Sequence, residues 1–290
     1  MRDLFRPKKY CRPKDVDEAV SLLLKHGKKA KVLAGGTDLM VRRPPSVETL
    51  IDIVSLGLNY IEVDKAQGIR IGAATPVAVL EAAKLLSNGS SRALAEAASV
   101  MATPTIRNMA TIGGNLCNAS PAADLSVALM AMDAVVIVKG THAKREIPVR
   151  EFLIGPNKAA LQDDEMMIEI LISSFPEKTG TGFCKLRHHQ TSMDIALVNV
   201  ATRLLIRNGR CADAAISMGA VGPTPLRAPR AEALLTGKNL NRELLLQASQ
   251  AAMEESNPID DVRGSAYYRR KMVAVLVNKS LETSLRRCAA

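Results

Sequence analysis

The sequence predicts an α+β protein built in two parts, and three observations support that class. Short apolar segments with strand character and segments with helical periodicity follow one another along the first 176 residues. Their order is irregular and lacks the strict strand–helix alternation of a doubly wound parallel sheet. From about residue 177 the pattern changes to three strand segments followed by three helical segments, which predicts a second module.

The N-terminal part opens with a short predicted helix. Asp15 can cap it, Glu18 stands three residues later, and Gly27 ends it. Two short apolar strands follow at AKVLAGG and TLIDIV. Further on, YIEVD and GIRIGAATP predict a hairpin, and AVVIVKG, REIPVREF and DDEMMIEILISSF predict strands. Helices are predicted at VAVLEAAKLLS, SSRALAEAASVMA and PAADLSVALMAMD.

The C-terminal part begins near Phe175-Pro176-Glu177-Lys178, where we place a domain boundary. Three strands are predicted within TGFCKLR and DIALVNVATRLLIRNGRCADAAISMGAVGPTPLRA, with turns at Asn208-Gly209 and Gly222-Pro223. Three helices follow, in RAPRAEALLTG, RELLLQASQAAMEESN and GSAYYRRKMVAVLVNKSLETSLRR. A chain of 290 residues with 47% hydrophobic residues is long enough for two such domains.

The cysteine content and the N-terminus predict a reduced cytoplasmic protein. The five cysteines form no CxxC pair and have no neighbouring histidine, so a disulfide framework, a metal site and a self-contained iron–sulfur cluster are not expected. The N-terminus is basic but lacks the apolar region of a signal peptide, and no segment has the length of a membrane span.

The chain is basic, with 39 Lys and Arg against 29 Asp and Glu and a formal net charge of +10. Such a charge suits nucleic acid, an anionic membrane or an acidic partner subunit. Basic residues occur only in short clusters, and aromatic residues make up 3% of the chain with no Trp. Because single-strand binders stack bases on aromatic rings, we do not expect nucleic acid as a partner.

Two glycine pairs stand at similar positions, in KVLAGGTDL at 31–39 and in ATIGGNLCNASPAADLS at 110–126. A glycine pair lets backbone N–H groups converge on one point, which suits phosphate oxygens. Thr37, Thr111 and Asn115 add short polar side chains, and Lys31 can offset the charge of a diphosphate. Each pair by itself also fits a plain turn. Neither a P-loop nor a Rossmann motif is present in the sequence.

The two segments AGGTDL and TIGGNLCNASPAADL resemble the two signature loops of the FAD-binding subunit of molybdenum hydroxylases, the family of xanthine dehydrogenase and carbon monoxide dehydrogenase. The resemblance extends over essentially the whole chain. Supporting segments are YCRPKDVDEAVSLL, GFCKLRHHQTSMDIALVNVA, MGAVGPTPLRAPRAEALLTGK and DDVRGSAYYRRKMVAVLV, in the order in which the family has them.

The resemblance implies which residues contact FAD. The first loop and its strand would wrap the pyrophosphate and ribityl chain, and the second loop would close over the same diphosphate from the other side. The first set is Lys31, Val32, Leu33, Ala34, Gly35, Gly36, Thr37, Asp38 and Leu39, and the second is Thr111, Ile112, Gly113, Gly114 and Asn115.

Three further positions match the family pattern, and each also has a plain structural interpretation. Asp124 would bond cofactor hydroxyls, or it is the N-terminal residue of a helix. Lys185 and Met167 would lie beside the flavin, or they are a solvated strand lysine and a core methionine.

Weaker candidates lie in the C-terminal part. Asp194 would lie near the exposed edge of the ring or simply precede a strand, and Tyr268 would pack at the start of the last helix. His188 and His189 suit a solvated turn better than metal ligation.

The implied fold is similar to that of vanillyl-alcohol oxidase: a PCMH-type FAD-binding domain of two subdomains, then a three-stranded antiparallel sheet with helices. On this sequence the FAD-binding domain covers residues 1–176, with subdomains of about 1–56 and 57–176. The C-terminal domain, similar to that of the carbon monoxide dehydrogenase flavoprotein, covers residues 177–290.

The implied activity is that of the FAD-carrying electron-transfer subunit of a heterotrimeric oxidoreductase. FAD would accept electrons from [2Fe-2S] clusters of a small partner subunit and pass them to NAD or another acceptor, while a large molybdopterin-binding subunit oxidises the substrate. The chain lacks the cysteine-bearing insertion of the aromatic-CoA reductases of this family. Two alternatives stay open: a self-standing flavin oxidoreductase, and a basic nucleic-acid-binding module.

Overall fold

The computed structural model describes residues 5–64, 68–187 and 195–289. The weaker candidates His188, His189 and Asp194 lie outside these residues. Within them, no helix combines the length and apolar character that a bilayer crossing requires.

The first part of the chain mixes helices and strands, as predicted. In chain order its elements are β1 (Lys9–Cys11), α1 (Val16–His26), β2 (Ala30–Leu33), α2 (Leu39–Arg42), β3 (Thr49–Asp52), β4 (Ile61–Asp64), β5 (Gly68–Gly72), α3 (Val77–Ala82), α4 (Arg92–Ser99), α5 (Pro104–Met109), α6 (Ile112–Asn118), α7 (Asp124–Ala131), β6 (Val135–Lys139), β7 (Lys144–Pro148), α8 (Val149–Phe152), β8 (Leu153–Gly155), β9 (Lys158–Ala159) and β10 (Met166–Ile172). The second part comprises β11 (Thr179–Arg187), β12 (Ala196–Arg207), β13 (Arg210–Gly219), β14 (Leu226–Arg227), α9 (Pro229–Leu235), α10 (Arg242–Glu255) and α11 (Ala266–Cys288).

A small parallel sheet in the order β1-β3-β2 begins the fold, and α1 makes the crossover from β1 to β2. The predicted cap of α1 is confirmed, because Asp15 Oδ1 accepts a hydrogen bond of 2.8 Å from the Glu18 amide. Gly27 ends the helix with a φ of +51°, a backbone conformation that glycine adopts at little cost. The carboxyl end of β2 leads directly into the first glycine pair.

A five-stranded antiparallel sheet, in the order β4-β5-β10-β6-β7, follows. The predicted hairpin is confirmed as the antiparallel pair β4 and β5. The main hydrophobic core contains residues of β6 and β10 together with residues of α3, α4, α6 and α7. These helices therefore bury their apolar residues in the same core as the sheet.

Helix α7 is buried around its whole circumference, since all eight of its residues are inaccessible to solvent. Its sequence, DLSVALMA, is apolar on every side after the first residue, as a central helix requires. It contacts α4, α6 and α8 of the first part and β12 and β13 of the second. One short helix thus packs against both parts of the chain.

The C-terminal sheet has four strands, in the order β11-β12-β13-β14, where the sequence predicted three. The additional strand, β14, has only two residues, which pair with Ser217 and Met218. Two residues cannot show the alternation by which a strand is recognised in a sequence. The predicted turn at Asn208-Gly209 is confirmed, because both residues have positive φ, as in a type I′ hairpin.

The two faces of the C-terminal sheet differ in chemistry. Val198, Val200 and Leu204 of β12 belong to an apolar core that also contains residues of α10 and α11. The residues between them, which point to the opposite face, include Asn199 and Arg203, and both bond to groups at the ends of α7. The second face of the sheet therefore places polar side chains at both ends of this helix, with the apolar Ala201 between them.

Two arginines hold the C-terminal end of α7. Arg203 Nε donates a hydrogen bond of 3.0 Å to the carbonyl of Ala131, and its Nη2 lies 2.5 Å from Asp133 Oδ2. Arg227 Nη1 reaches the other oxygen of Asp133 at 2.6 Å. Cations near the last carbonyls of a helix are favourable because the helix dipole is negative there.

Replacing Arg203 by Met should lower the free energy of unfolding by about 2 kcal/mol, because the Ala131 carbonyl and the carboxylates of Asp133 and Asp213 lose their donor. Chemical denaturation in urea measures this loss. Arg230→Met is the matched control, because the Arg230–Glu254 pair is exposed on both sides and should contribute less than about 1 kcal/mol. Equal losses for the two variants would contradict the proposed importance of Arg203.

Candidate functional site

The first glycine pair lies in a short loop between β2 and α2. Gly36 has a φ of +69°, so the chain turns sharply there. In the described parts of the chain, the backbone N–H groups of Gly35, Gly36, Thr37, Asp38 and Leu39 donate to no protein acceptor. Successive unpaired N–H groups beside a left-handed residue form a concave site for anions. The prediction of a phosphate cradle therefore fits this loop.

The second glycine pair lies in the first turn of helix α6 and not in a loop, and it follows helix α5. Its amides are already paired: Ile112 donates to Thr75, Gly113 to Ala73 and Gly114 to the hydroxyl of Thr111. The interpretation of this pair as a second set of free N–H donors is therefore wrong. Gly113 instead allows close approach, because an added Cβ would lie 2.6 Å from the carbonyl oxygen of Ala73.

The two glycine segments meet in space. A Cβ added to Gly35 would lie only 1.8 Å from the carbonyl oxygen of Met109, just before Ala110 and Thr111. The first loop therefore rests directly on the backbone that enters α6, with no room for a side chain. Burial raises the pKa of the Cys117 thiol in α6 to about 12, while the positive charge of Lys31 on β2 acts in the opposite direction. The close approach of Gly35 to Met109 brings the predicted first and second segments to one place.

Asn115 lies half-buried in α6 with incomplete hydrogen bonding. Its Nδ2 donates to the sulfur of Met101 at 3.6 Å, but its Oδ1 is buried without a partner among the described residues. A buried acceptor without a donor is costly, so such an atom in a native protein indicates a missing water or ligand. Gly114, next to it, is exposed. This end of α6 therefore has the unpaired polar atom and the open surface that a bound cofactor requires.

Arg107 holds in place the backbone that leads towards α6. Sequence patterns did not identify this residue. Its guanidinium contacts both carboxylate oxygens of Glu81 and the carbonyls of Met101 and Ala102. The side chain is nearly inaccessible to solvent. A lone arginine in TIRNM gives no sign in the sequence of these partners, because they depend on tertiary structure.

Asp124 and Lys185 form a buried ion pair between the two parts of the chain. Lys185 Nζ lies 2.6 Å from Asp124 Oδ2, and Asn199 Nδ2 donates to Asp124 Oδ1 at 2.7 Å. Lys185 also donates to the carbonyl of Val100 at 3.3 Å. Burial raises the pKa of Asp124, while Lys185 and Asn199 act in the opposite direction. Asp124 is the first residue of α7, as predicted, and Lys185 is buried, so its interpretation as a solvated strand lysine is wrong.

Met167 and Tyr268 have the environments of structural residues. Met167 is buried in the main core with Ile112, next to an irregularity in β10. Its contact with a flavin stays a prediction. Tyr268 lies in the first turn of α11, as expected, and is half exposed. Val32, Leu33, Ala34 and Thr37 are half-buried around the first loop.

Comparison with known proteins assigns both parts of the chain to families. Residues 5–174 match the FAD binding domain in molybdopterin dehydrogenase, and residues 183–284 match the CO dehydrogenase flavoprotein C-terminal domain. The chain is 33% identical to the carbon monoxide dehydrogenase medium chain of Hydrogenophaga pseudoflava, over 97% of this chain and 98% of that one. It is also 33% identical to the 6-hydroxypseudooxynicotine dehydrogenase complex subunit alpha of Paenarthrobacter nicotinovorans, over 94% and 92% of the two chains.

Solved structures agree. The carbon monoxide dehydrogenase of Hydrogenophaga pseudoflava, in a form that lacks the Mo-pyranopterin moiety, superposes with a TM-score of 0.91 at 32% identity. The match covers 98% of this chain and 99% of that one. Fold and site thus define an FAD-dependent oxidoreductase subunit. The chain belongs to the family of FAD-binding subunits of the molybdenum hydroxylases, which includes the carbon monoxide dehydrogenase medium chains and xanthine dehydrogenase FAD-binding subunits.

The Asp124–Lys185 pair predicts a pH-dependent stability defect. Lys185→Met should destabilise the protein by about 3–5 kcal/mol near pH 7, because it leaves a buried carboxylate unpaired. A carboxyl whose folded-state pKa is raised destabilises the folded state increasingly as the pH rises above its unfolded pKa of about 4, and fully above its folded-state pKa. The loss should therefore shrink as the pH falls from about 7 to about 5. Urea denaturation at several pH values measures it.

The control for this prediction is the double variant Asp124→Asn with Lys185→Met. It carries no buried charge at either position, so its stability relative to wild type should change much less over the same pH range. A defect of Lys185→Met that is constant with pH would refute the assignment of the loss to the Asp124 carboxylate.

Proposed function

We propose that this chain carries FAD as the electron-transfer subunit of a molybdenum hydroxylase complex. In this proposal it receives electrons from [2Fe-2S] clusters of a small partner subunit and delivers them to NAD or another acceptor. The observation that carries the proposal is the run of unpaired N–H groups from Gly35 to Leu39, packed against the backbone that leads into α6. This site suits a diphosphate, and the family to which the chain belongs binds FAD.

The residues present fit the cofactor. The first loop, from Lys31 to Leu39, would hold the pyrophosphate through its N–H groups, with the ammonium of Lys31 offsetting charge. In the second segment, from Thr111 to Asn115, the exposed Gly114 and the unpaired Oδ1 of Asn115 would face polar groups of the same cofactor. When bound, FAD supplies the ability to collect single electrons and release them in pairs.

Asp124, Lys185 and Met167 would border the cofactor at the junction of the two parts. The carboxylate of Asp124 is already satisfied by Lys185 and Asn199, so we assign it a positioning role toward Lys185. Asp124 would then hold the ammonium of Lys185 in one position next to the cofactor. Met167 would contribute apolar packing from the core.

The proposal of partner subunits rests on the lack of a metal-binding group among the described residues of this chain. Its five cysteines are free, and in the described residues no three His, Cys, Asp or Glu side chains are grouped as metal ligands. Iron–sulfur clusters and molybdopterin would therefore be bound by a small and a large partner subunit. We further propose that residues 1–176 form the FAD-binding domain, with subdomains of about 1–56 and 57–176, and that residues 177–290 form the C-terminal domain.

Replacing Gly36 by Val should abolish FAD binding, because a β-branched residue cannot keep the positive φ that turns the loop amides toward one point. The purified wild-type protein should be yellow, with the oxidised-flavin band at roughly 450 nm, and the variant colourless. Gly57→Val is the matched control. Gly57 has a φ of +70° and no heavy atom near its missing Cβ, so it carries the same backbone strain without the cradle. A Gly36→Val protein that folds and stays yellow would refute the cradle.

Assembly tests the electron-transfer part of the proposal. Affinity purification of the tagged chain from its native host should retrieve two further chains, one with iron–sulfur absorbance and one with molybdenum detected by mass spectrometry. Reduction of the clusters should then bleach the flavin band of the complex. Recovery of the yellow chain alone, at full occupancy with FAD, would instead favour a self-standing flavin oxidoreductase.

A further inference from the structure

The loop of residues 100–102, between α4 and α5, contacts two of the side chains assigned to the cofactor. Lys185 Nζ of β11 donates to the Val100 carbonyl at 3.3 Å. Asn115 Nδ2 of α6 donates to the sulfur of Met101 at 3.6 Å. Two side chains from different parts of the chain thus share one support, and the place of this loop affects where both of them lie.

The loop has a backbone conformation that needs support from its surroundings. Ala102 has a φ of +43°, in the left-handed region. This region is unfavourable for a residue with a Cβ, and such a residue keeps the conformation only where neighbouring contacts enforce it. The contacts that hold Ala102 therefore also hold the neighbouring residues that bond Lys185 and Asn115.

The guanidinium of Arg107 supplies this support. Its Nη1 donates to the carbonyls of Met101 and Ala102, at 3.0 Å and 3.1 Å. Its Nε and Nη2 donate to the two carboxylate oxygens of Glu81 on α3, at 2.8 Å and 3.3 Å. A two-point contact with a carboxylate fixes the plane of a guanidinium. Glu81 therefore directs the remaining nitrogen of this nearly buried side chain at the loop.

The helix that carries Arg107 also supports the first glycine loop. Met109 is the last residue of α5, two positions after Arg107, and a Cβ added to Gly35 would lie 1.8 Å from its carbonyl oxygen. The first loop, Asn115 and Lys185 thus each rest on α5 or on the loop that Arg107 bonds. A single side chain connects the supports of three site segments.

We infer that Arg107, held by Glu81, is a positioning residue of the FAD site. It fixes the loop of residues 100–102 and, through it, the polar groups of Asn115 and Lys185 before the cofactor arrives. Polar groups that are already in place bind a ligand without a cost for ordering them. This inference rests on the proposed function and identifies a residue that prepares its site without touching the cofactor.

The test measures the dissociation constant of FAD by fluorescence titration of the full chain from which flavin has been removed. We expect Arg107→Met to weaken FAD binding by at least about tenfold, the effect of losing one hydrogen bond to a charged group. Arg203→Met is the matched control. Arg203 is also buried and also bonds a backbone carbonyl and a carboxylate, but it does so at the C-terminal end of α7. It should lose stability and bind FAD as wild type does.

A second substitution separates positioning from a general contribution to stability. Glycine adopts a positive φ without outside support, so Ala102→Gly should reduce the need for Arg107. Added to Arg107→Met, it should recover at least about threefold in FAD affinity, because the left-handed conformation no longer carries its cost. The same substitution should change the affinity less in the wild-type background, where Arg107 already holds the loop.

Glu81→Gln covers the case in which Arg107→Met does not fold. Glu81 is exposed, so this variant should fold, and its looser hold on Arg107 should weaken FAD binding by about threefold. Wild-type affinity in Arg107→Met, or in Glu81→Gln where the first variant does not fold, would overturn the inference. Equal effects of Ala102→Gly in both backgrounds would also overturn it. A wild-type chain that takes up no FAD would instead refute the proposed function itself.

Discussion

Helix α7 and the charges at its two ends are the constraint on which the rest of the structure depends. The apolar residues of α7 belong to the main core. The polar groups at the two ends of the helix therefore find their hydrogen-bond partners in the sheet that covers it. Asp124 meets Lys185 and Asn199 at one end, and Arg203 bonds the Ala131 carbonyl at the other. These partners come from β11 and β12, so both strands fix the position of the second part of the chain on α7.

The two glycine segments have different physical tasks. In the first, Gly36 turns the backbone so that consecutive N–H groups remain available to a ligand. In the second, Gly113 permits contact between α6 and the Ala73 carbonyl, and the helix amides are used within the protein. Similar sequence patterns thus gave a run of unpaired N–H groups in one place and a close backbone contact in the other.

Sequence patterns sufficed where local periodicity and local chemistry decide the structure. The hairpin of β4 and β5, the buried α7, the Asn208-Gly209 turn and the long α11 were all predictable in this way. Helices α5 and α6 were not, because α5 has only six residues and the glycine pair in α6 is a poor helix former. Long-range bonds to Ala73 and Thr75 stabilise α6. The family motif picked out two segments that meet in the structure, whereas the partners of Lys185 and Arg107 depend on pairings 61 and 26 residues distant.

The contact between Gly35 and the Met109 carbonyl joins two strips of backbone that lie far apart in the chain. The N-terminal sheet by itself therefore lacks one wall of the proposed cradle. Under the proposed function, a growing polypeptide retains FAD only after the segment through α6 has emerged from the ribosome and packed. Flavin colour would then report that the first loop and α6 have come together.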